Sequence, residues 1–213
     1  MDLSAGVAVR VSALCLAPDG RLSGLLLPSD AVRGALLLDL ALSGRLTSTD
    51  ESIVVDQSPT GFGPADRLLA AIDAEPERPL DGWLAERRLG LRDVAEANVV
   101  SGRWERRPGL LGLRPRYTDL QPDQTDRDLA RHPSDWPADA TAADACVTAV
   151  SATAGLLPRG SDVEFPEPPS PLVLASAGPA AWLCTAVLEH LEVAGRRYRA
   201  EAGALGDGPV FPF

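Results

Sequence analysis

The chain has 213 residues, of which 45% are hydrophobic and 23% are charged, and this composition is typical of a globular protein with a sizeable core. We expect residues 1–213 to form a single domain. The formal net charge of −10 argues against broad nucleic-acid binding, which needs a basic surface, so nucleic acid is not an expected partner.

The first predicted element covers residues 3–16. Its apolar side chains fit one face of a helix, although the alternation Val-Ala-Val-Arg-Val also fits a strand. A proline, an aspartate and a glycine at 18–20 then predict a turn.

The most apolar stretch of the chain lies between Ser29 and Gly44 and predicts a buried central helix over about residues 30–43. Ser29 or Asp30 would cap the first amides, and Gly44 would end the helix in the left-handed conformation. Arg33 would then lie in the first turn beside free amides, a combination that suits an anion.

Two small β-hairpins are predicted near residues 45–56 and 103–117. Each follows a helix that ends at the tripeptide Ser-Gly-Arg. Between the hairpins, short helices are predicted to begin at Pro64 and Pro79, since proline is favoured in the first helical turn. A further helix is predicted to begin at Gly90.

The rest of the chain alternates between polar and helical segments. We expect residues 119–137 to be acidic and mostly exposed, 141–157 to form an alanine-rich helix, 160–171 to be a proline-rich linker and 172–200 to be a C-terminal helical segment. The predicted fold class is therefore mostly α, with one compact helical domain built around the central helix.

The sequence does not support an enzyme. It lacks a nucleophile elbow, a phosphate loop and a dinucleotide-binding motif, and neither His132 nor His190 lies in a metal-ligand pattern. Cys15, Cys146 and Cys184 are far apart in apolar surroundings and predict buried thiols. We expect no cofactor and no metal site.

The basic residues, all of them arginine, are concentrated between residues 87 and 116, a stretch that contains eight arginines and three acidic residues. This local balance of +5 on an acidic chain predicts a localised anionic partner. Arg103, Arg106 and Arg107 of the second hairpin belong to this cluster.

The order of several motifs resembles the Golgi phosphoprotein 3 family. The motifs are Val-Arg-Gly-Ala-Leu-Leu-Leu-Asp-Leu-Ala-Leu-Ser-Gly-Arg-Leu, then Ser-Pro-Thr-Gly, Pro-Leu-Asp-Gly-Trp-Leu, Leu-Arg-Asp-Val and Ser-Gly-Arg-Trp. The resemblance extends over roughly residues 3–157, so residues 1–157 are interpreted as a family-like helical core.

The resemblance implies a mostly helical domain with a protruding β-hairpin and no catalytic activity. It also implies a cytoplasmic protein that associates peripherally with membranes. Eukaryotic members of the family recognise phosphatidylinositol 4-phosphate and act as adaptors for membrane-resident glycosyltransferases. The expected partners are therefore an anionic phospholipid surface and membrane-resident enzymes.

The resemblance also indicates where a headgroup would bind. Arg33 occupies the arginine position of the family's Leu-Arg-Gly, and Arg92 the first basic position of the later Leu-Arg element. The second basic position falls on Ala95, and the position of the family's tryptophan falls near Gly24. The sequence thus matches two of the four headgroup positions, Arg33 and Arg92.

Five further residues are candidates for membrane contact. Each hairpin arginine near an anionic bilayer would contribute about 1 kcal/mol. Leucines just before the central helix would supply an apolar edge for insertion. The candidates are Arg103, Arg106, Arg107, Leu25 and Leu26.

Two alternatives to lipid binding remain open. A helix followed by an arginine-bearing hairpin is also the pattern of a winged-helix DNA-binding regulator, and it occurs twice. The other alternative is a protein-interaction module that has lost its lipid ligand. Formation of a homo-oligomer through the hairpin at 103–117 would favour this alternative.

Overall fold

The structure is a computed structural model. The residues that it describes are 2–23, 26–49, 53–86, 88–109, 115–131, 136–157 and 169–204, with the backbone alone described for Leu26 and for residues 202–204.

Within these ranges the chain forms nine α-helices and two separate antiparallel pairs of strands, which confirms the predicted mostly-α class. The helices are α1 (Val7–Leu14), α2 (Leu26–Leu42), α3 (Gly63–Ala74), α4 (Leu80–Leu84), α5 (Leu91–Val100), α6 (Pro122–Ala130), α7 (Ala142–Thr153), α8 (Pro171–Ser176) and α9 (Ala181–Ala204). The strands are β1 (Leu46–Ser48), β2 (Ile53–Val55), β3 (Trp104–Arg107) and β4 (Arg116–Asp119).

The central helix α2 begins earlier than its sequence suggests. It starts at Leu26, with Pro28 inside the first turn, where a missing N–H removes no helical hydrogen bond. The predicted cap at Ser29 or Asp30 is therefore wrong, since both residues lie within the helix. Arg33 consequently lies beyond the first turn and beyond the free amides.

The end of α2 is where the sequence places it. Gly44 has a φ of +72°, a left-handed conformation that glycine adopts without steric cost. Its amide donates to the carbonyl of Ala41 at 3.0 Å, and the amide of Arg45 donates to the carbonyl of Leu40 at 2.8 Å. These two bonds satisfy carbonyls that a helix end leaves free.

Helix α2 lies at the centre of the core and packs against α1, α3, α5, α7 and α9. The approach of α9 depends on Gly34, because a Cβ there would lie 2.5 Å from Cγ1 of Val187. Six apolar residues of α2 are completely buried: Ala31, Val32, Ala35, Leu36, Leu38 and Leu40. This burial leaves α2 no face with which to read DNA.

The carboxylate of Asp39, in the middle of α2, forms the N-terminal cap of α1. Its two oxygens accept the amides of Val7 at 2.7 Å and Ala8 at 2.9 Å. A Cβ on Gly6, the residue before α1, would lie 2.4 Å from Oδ1 of Asp39. A side chain of the core helix thus satisfies donors that the first turn of α1 cannot satisfy itself.

The complete burial of this carboxylate changes its titration. Burial raises the pKa of Asp39 from 3.8 to about 7, while the amides of Ala8 and Val7 and the charge of Arg10 act in the opposite direction. Between about pH 4 and pH 7, the folded protein therefore retains a proton on Asp39 that the unfolded chain has already released.

Both predicted hairpins are present. In the first, Leu46 pairs with Val55, and in the second, Trp104 pairs with Asp119. The second hairpin has a core of its own, in which the rings of Trp104 and Tyr117 lie 5.8 Å apart over Ala95 of α5.

The first segment is helical, so the strand interpretation of residues 3–16 is wrong. It consists of a short 3₁₀ turn at Leu3–Ala5 followed by α1. The segment 119–137 contains a helix that the sequence did not predict, α6, and its Asp128 is only 1% exposed. Arg10 of α1 compensates this carboxylate through bonds of 2.9 and 2.6 Å.

The C-terminal segment is helical as predicted, with α8, a 3₁₀ turn at Gly178–Ala180 and α9. Pro171 belongs to α8 rather than to the linker, and most of the predicted linker lies outside the described residues. Cys15, Cys146 and Cys184 are buried free thiols, in agreement with the sequence.

The raised pKa of Asp39 predicts a pH-dependent stability. Between pH 5 and pH 8 the unfolded state binds fewer protons than the folded state, so the free energy of unfolding should fall by about 3 kcal/mol relative to that of the variant Asp39→Asn. Urea unfolding of both proteins across this range measures the difference. A difference that does not vary with pH would contradict the assignment.

Candidate functional site

The side chain of Arg33 is almost completely buried, with 2% exposure. Its Nε donates to the carbonyl of Leu89 at 2.8 Å, and its Nη1 donates to the carbonyl of Leu84 and to Oδ1 of Asp30, the latter at 3.0 Å. The guanidinium thus joins α2 to the last residue of α4 and to the segment before α5.

Asp30 connects the same group to the C-terminal helix. Its second oxygen accepts a hydrogen bond from the Tyr198 hydroxyl of α9 at 3.0 Å. Tyr198, Asp30 and Arg33 therefore form a chain of hydrogen bonds between α9 and the interior of the protein. This arrangement holds the guanidinium in one orientation.

A cavity of about 230 Å³ lies next to this chain of bonds. It is bounded by the first half of α2, by Ala85 after α4 and by the last turns of α9. The polar residues that line it are Ser29, Asp30, Arg33, His190, Arg197 and Tyr198. We call it the α2 cavity.

Two nitrogens of residues that line the α2 cavity have no hydrogen-bond partner among the described residues. The first is Nη2 of Arg33, since the other two nitrogens of this guanidinium make all of its hydrogen bonds. The second is the buried Nε2 of His190. The unused donor of Arg33 is available to an acceptor in the cavity that this side chain lines.

Arg197 supplies a cation at the rim of the same cavity. Its side chain is 72% exposed, and its contact with Glu201 is long, at 3.6 Å. Exposed ion pairs of this kind contribute little free energy, so the guanidinium is free to turn towards an anion. Arg196, its neighbour on α9, does not line the cavity.

Arg92 does not meet Arg33. It is exposed and lines a different cavity, of about 590 Å³, together with Arg67 and the start of α3. The start of α5 nevertheless lies next to Arg33, because a Cβ on Gly90 would be 3.6 Å from Nη2. The two family arginine positions are thus neighbours in the fold, while their side chains line separate cavities.

Ala95 explains the difference from the family pattern at the second basic position. The residue is completely buried on the face of α5 that packs under Trp104 and Tyr117. A charged side chain there would lose its hydration without gaining a partner, which is costly. Gly24 and Leu25 lie outside the described residues, and Leu26 is the first residue of α2.

The arginines of the second hairpin have different surroundings. Arg106 and Arg107 make exposed ion pairs, Arg106 with Glu96 at 3.5 Å and Arg107 with Glu105 at 3.1 Å. Arg103 instead lines a third cavity, between α1 and α6. The three arginines therefore do not converge on one site.

The contribution of α9 to the α2 cavity does not follow from the motifs of the sequence. His190 lies outside any metal-ligand pattern, and Arg197 and Tyr198 belong to none of the family motifs. The available signal was the run Arg-Arg-Tyr-Arg at 196–199, which is basic and aromatic on an acidic chain.

Two classes of site are absent from the part of the chain that the structure describes. There, no three potential metal ligands lie together. Nor does any helix in those ranges combine the length and apolar character needed to cross a bilayer.

The chain of hydrogen bonds through Asp30 predicts a coupling between α2 and α9. In a double-mutant cycle of Asp30→Asn and Tyr198→Phe, we expect a coupling free energy of about 1 to 2 kcal/mol, because the acceptor is a carboxylate and partly buried. Thermal or urea unfolding of the four proteins measures it. Additive effects would show that the two side chains do not support each other.

A comparison with known protein families identifies this architecture. The sequence model described as Golgi phosphoprotein 3 (GPP34) matches residues 14–201, which is most of the chain and includes every helix from α2 to α8. A comparison with curated proteins gives no match. The chain belongs to the Golgi phosphoprotein 3 family.

Proposed function

We propose that this protein is a non-enzymatic, peripheral membrane protein of the cytoplasm that binds the phosphorylated headgroup of an anionic phospholipid, of the phosphatidylinositol 4-phosphate type, in the α2 cavity. The observation that carries the proposal is the almost fully buried side chain of Arg33, which lines the cavity and whose Nη2 makes no hydrogen bond within the described residues. The protein's membership of the Golgi phosphoprotein 3 family supports it.

The charge of the α2 cavity favours an anion. Arg33 and Arg197 bring two positive charges to its lining, and Asp30 brings one negative charge. Arginine is the side chain best suited to a phosphate group, because its planar fork donates parallel hydrogen bonds to phosphate oxygens.

The size of the α2 cavity restricts the ligand. At about 230 Å³ it is smaller than the pockets of roughly 300 to 1,000 Å³ that enclose drug-sized molecules. A headgroup fits this space, while the acyl chains would remain in the bilayer. The hydroxyl groups of an inositol would find an acceptor in Asp30.

Arg197 takes the role that the family assigns to a second basic residue. The family position falls on the buried Ala95, whereas Arg197 approaches the cavity from α9. The site would then combine a fixed cation, Arg33, with a mobile one at the rim. This combination lets a headgroup enter before its phosphate reaches the buried donor.

The remaining arginines would strengthen attachment to the membrane. Arg92 is exposed, and the ion pairs of Arg106 and Arg107 are exposed and therefore weak. Each cation near an anionic surface contributes about 1 kcal/mol, and this contribution decreases with salt. We include Leu25 and Leu26 as the apolar edge of this contact and membrane-resident enzymes as the clients of an adaptor.

The proposal predicts a difference between two neighbouring arginines. Arg197→Gln should weaken binding to vesicles that contain phosphatidylinositol 4-phosphate by about fivefold, while Arg196→Gln, which changes the charge of the same helix equally, should have a smaller effect. Flotation with these vesicles and with phosphatidylserine vesicles of equal charge measures both.

The second lipid separates a headgroup site from general attraction. For phosphatidylserine vesicles we expect equal effects of the two substitutions, because only surface charge then matters. Equal effects on the phosphoinositide vesicles as well would contradict the assignment of the α2 cavity.

A further inference from the structure

The third of the arginine-lined cavities lies between α1, the start of β3 and the first turn of α6. Its volume is about 440 Å³, and Arg10, Arg103 and Arg127 all line it. None of these side chains lines the α2 cavity. On a chain with a net charge of −10, three arginines around one cavity are unusual.

Arg10 supplies a buried donor at this cavity. It is only 8% exposed, and its Nε and Nη2 donate to the two oxygens of Asp128 at 2.9 and 2.6 Å. Nη2 also donates to Asp144 at 2.6 Å. Nη1, on the opposite edge of the planar group, has no acceptor among the described residues and is available to an acceptor in the cavity that Arg10 lines.

Arg103 and Arg127 supply the net positive charge. The Arg103 side chain is half-buried and makes no hydrogen bond or ion pair within the described ranges. Arg127 donates to the amide oxygen of Gln124 at 2.8 Å. Because this amide is neutral, the contact does not compensate the positive charge of Arg127. Asp123 brings one negative charge to the lining, and Asp128 compensates Arg10.

We propose that this cavity binds a phosphate-type oxyanion, with Nη1 of Arg10 as the buried donor and Arg103 and Arg127 as the flanking cations. A tetrahedral anion presents several acceptor oxygens, which match donors arriving from three directions. The ligand is either free phosphate or the phosphomonoester headgroup of a lipid such as phosphatidic acid. Leu120 lines the cavity and is 53% exposed, so it offers an apolar contact to the acyl chains of a lipid ligand.

The test compares an arginine of this cavity with an exposed arginine outside it. Arg103→Gln removes a cation from the cavity, whereas Arg21→Gln removes an exposed cation that lines none of the three cavities described above, and it serves as the charge-matched control. In the first arm, inorganic phosphate is titrated into each protein by calorimetry at constant ionic strength. We expect Arg103→Gln, and independently Arg127→Gln, to bind phosphate about tenfold more weakly than the control.

The second arm uses vesicles that contain phosphatidic acid and identifies the source of the anion. A loss in Arg103→Gln in both arms assigns the cavity to a lipid headgroup, and a loss with free phosphate alone assigns it to the soluble anion. Equal binding by Arg103→Gln and Arg21→Gln in both arms would overturn the proposal. Since Arg33 and Arg197 are unchanged throughout, this result does not depend on the α2 cavity.

Discussion

The burial of α2 is the constraint on which the rest of the structure depends. A helix that is apolar on every side must lie inside the protein, and any charged side chain that it carries must find partners there. Asp39 finds them in the first amides of α1. Arg33 finds them in two carbonyls next to α4 and α5 and in Asp30. Asp39 and Arg33 thus join α2 to α1, to α4 and to the segment before α5.

The candidate site is a consequence of the same constraint. Because two nitrogens of Arg33 are engaged by backbone and carboxylate acceptors, the third is held in place in a side chain that lines a cavity. A donor fixed in this way loses little conformational freedom when an anion binds. Helix α9 completes the cavity, since Tyr198 holds Asp30 and Arg197 adds a charge at the rim.

The sequence predicts the parts of the fold that depend on local patterns. The apolar body of α2, its end at Gly44 and both hairpins follow from hydrophobic periodicity and from glycine chemistry. The start of α2 does not, because Pro28 fits the first turn of a helix as well as a loop. Helix α6 is not predicted because its sequence is polar and acidic, and its buried Asp128 is paired with Arg10, which is far away in the chain.

The candidate site is less predictable than the fold, because it depends on side chains that are distant in sequence. The motif around Arg33 identifies the right helix, but not the acceptors of its guanidinium. Nothing local indicates that Arg92 and Arg33 line separate cavities, or that Arg197 reaches the one beside Arg33. Ala95 is informative in retrospect, since its burial excludes a cation at that position.

The central claim is that Arg33 binds a phosphorylated headgroup with a nitrogen that the fold leaves free. Nuclear magnetic resonance of the arginine Nε–Hε groups, during titration with the soluble headgroup glycerophosphoinositol 4-phosphate, tests it most directly. We predict saturable shifts for Arg33 and Arg197 with a common dissociation constant, and little change for Arg196. An unchanged Arg33 signal while exposed arginines shift would contradict the account.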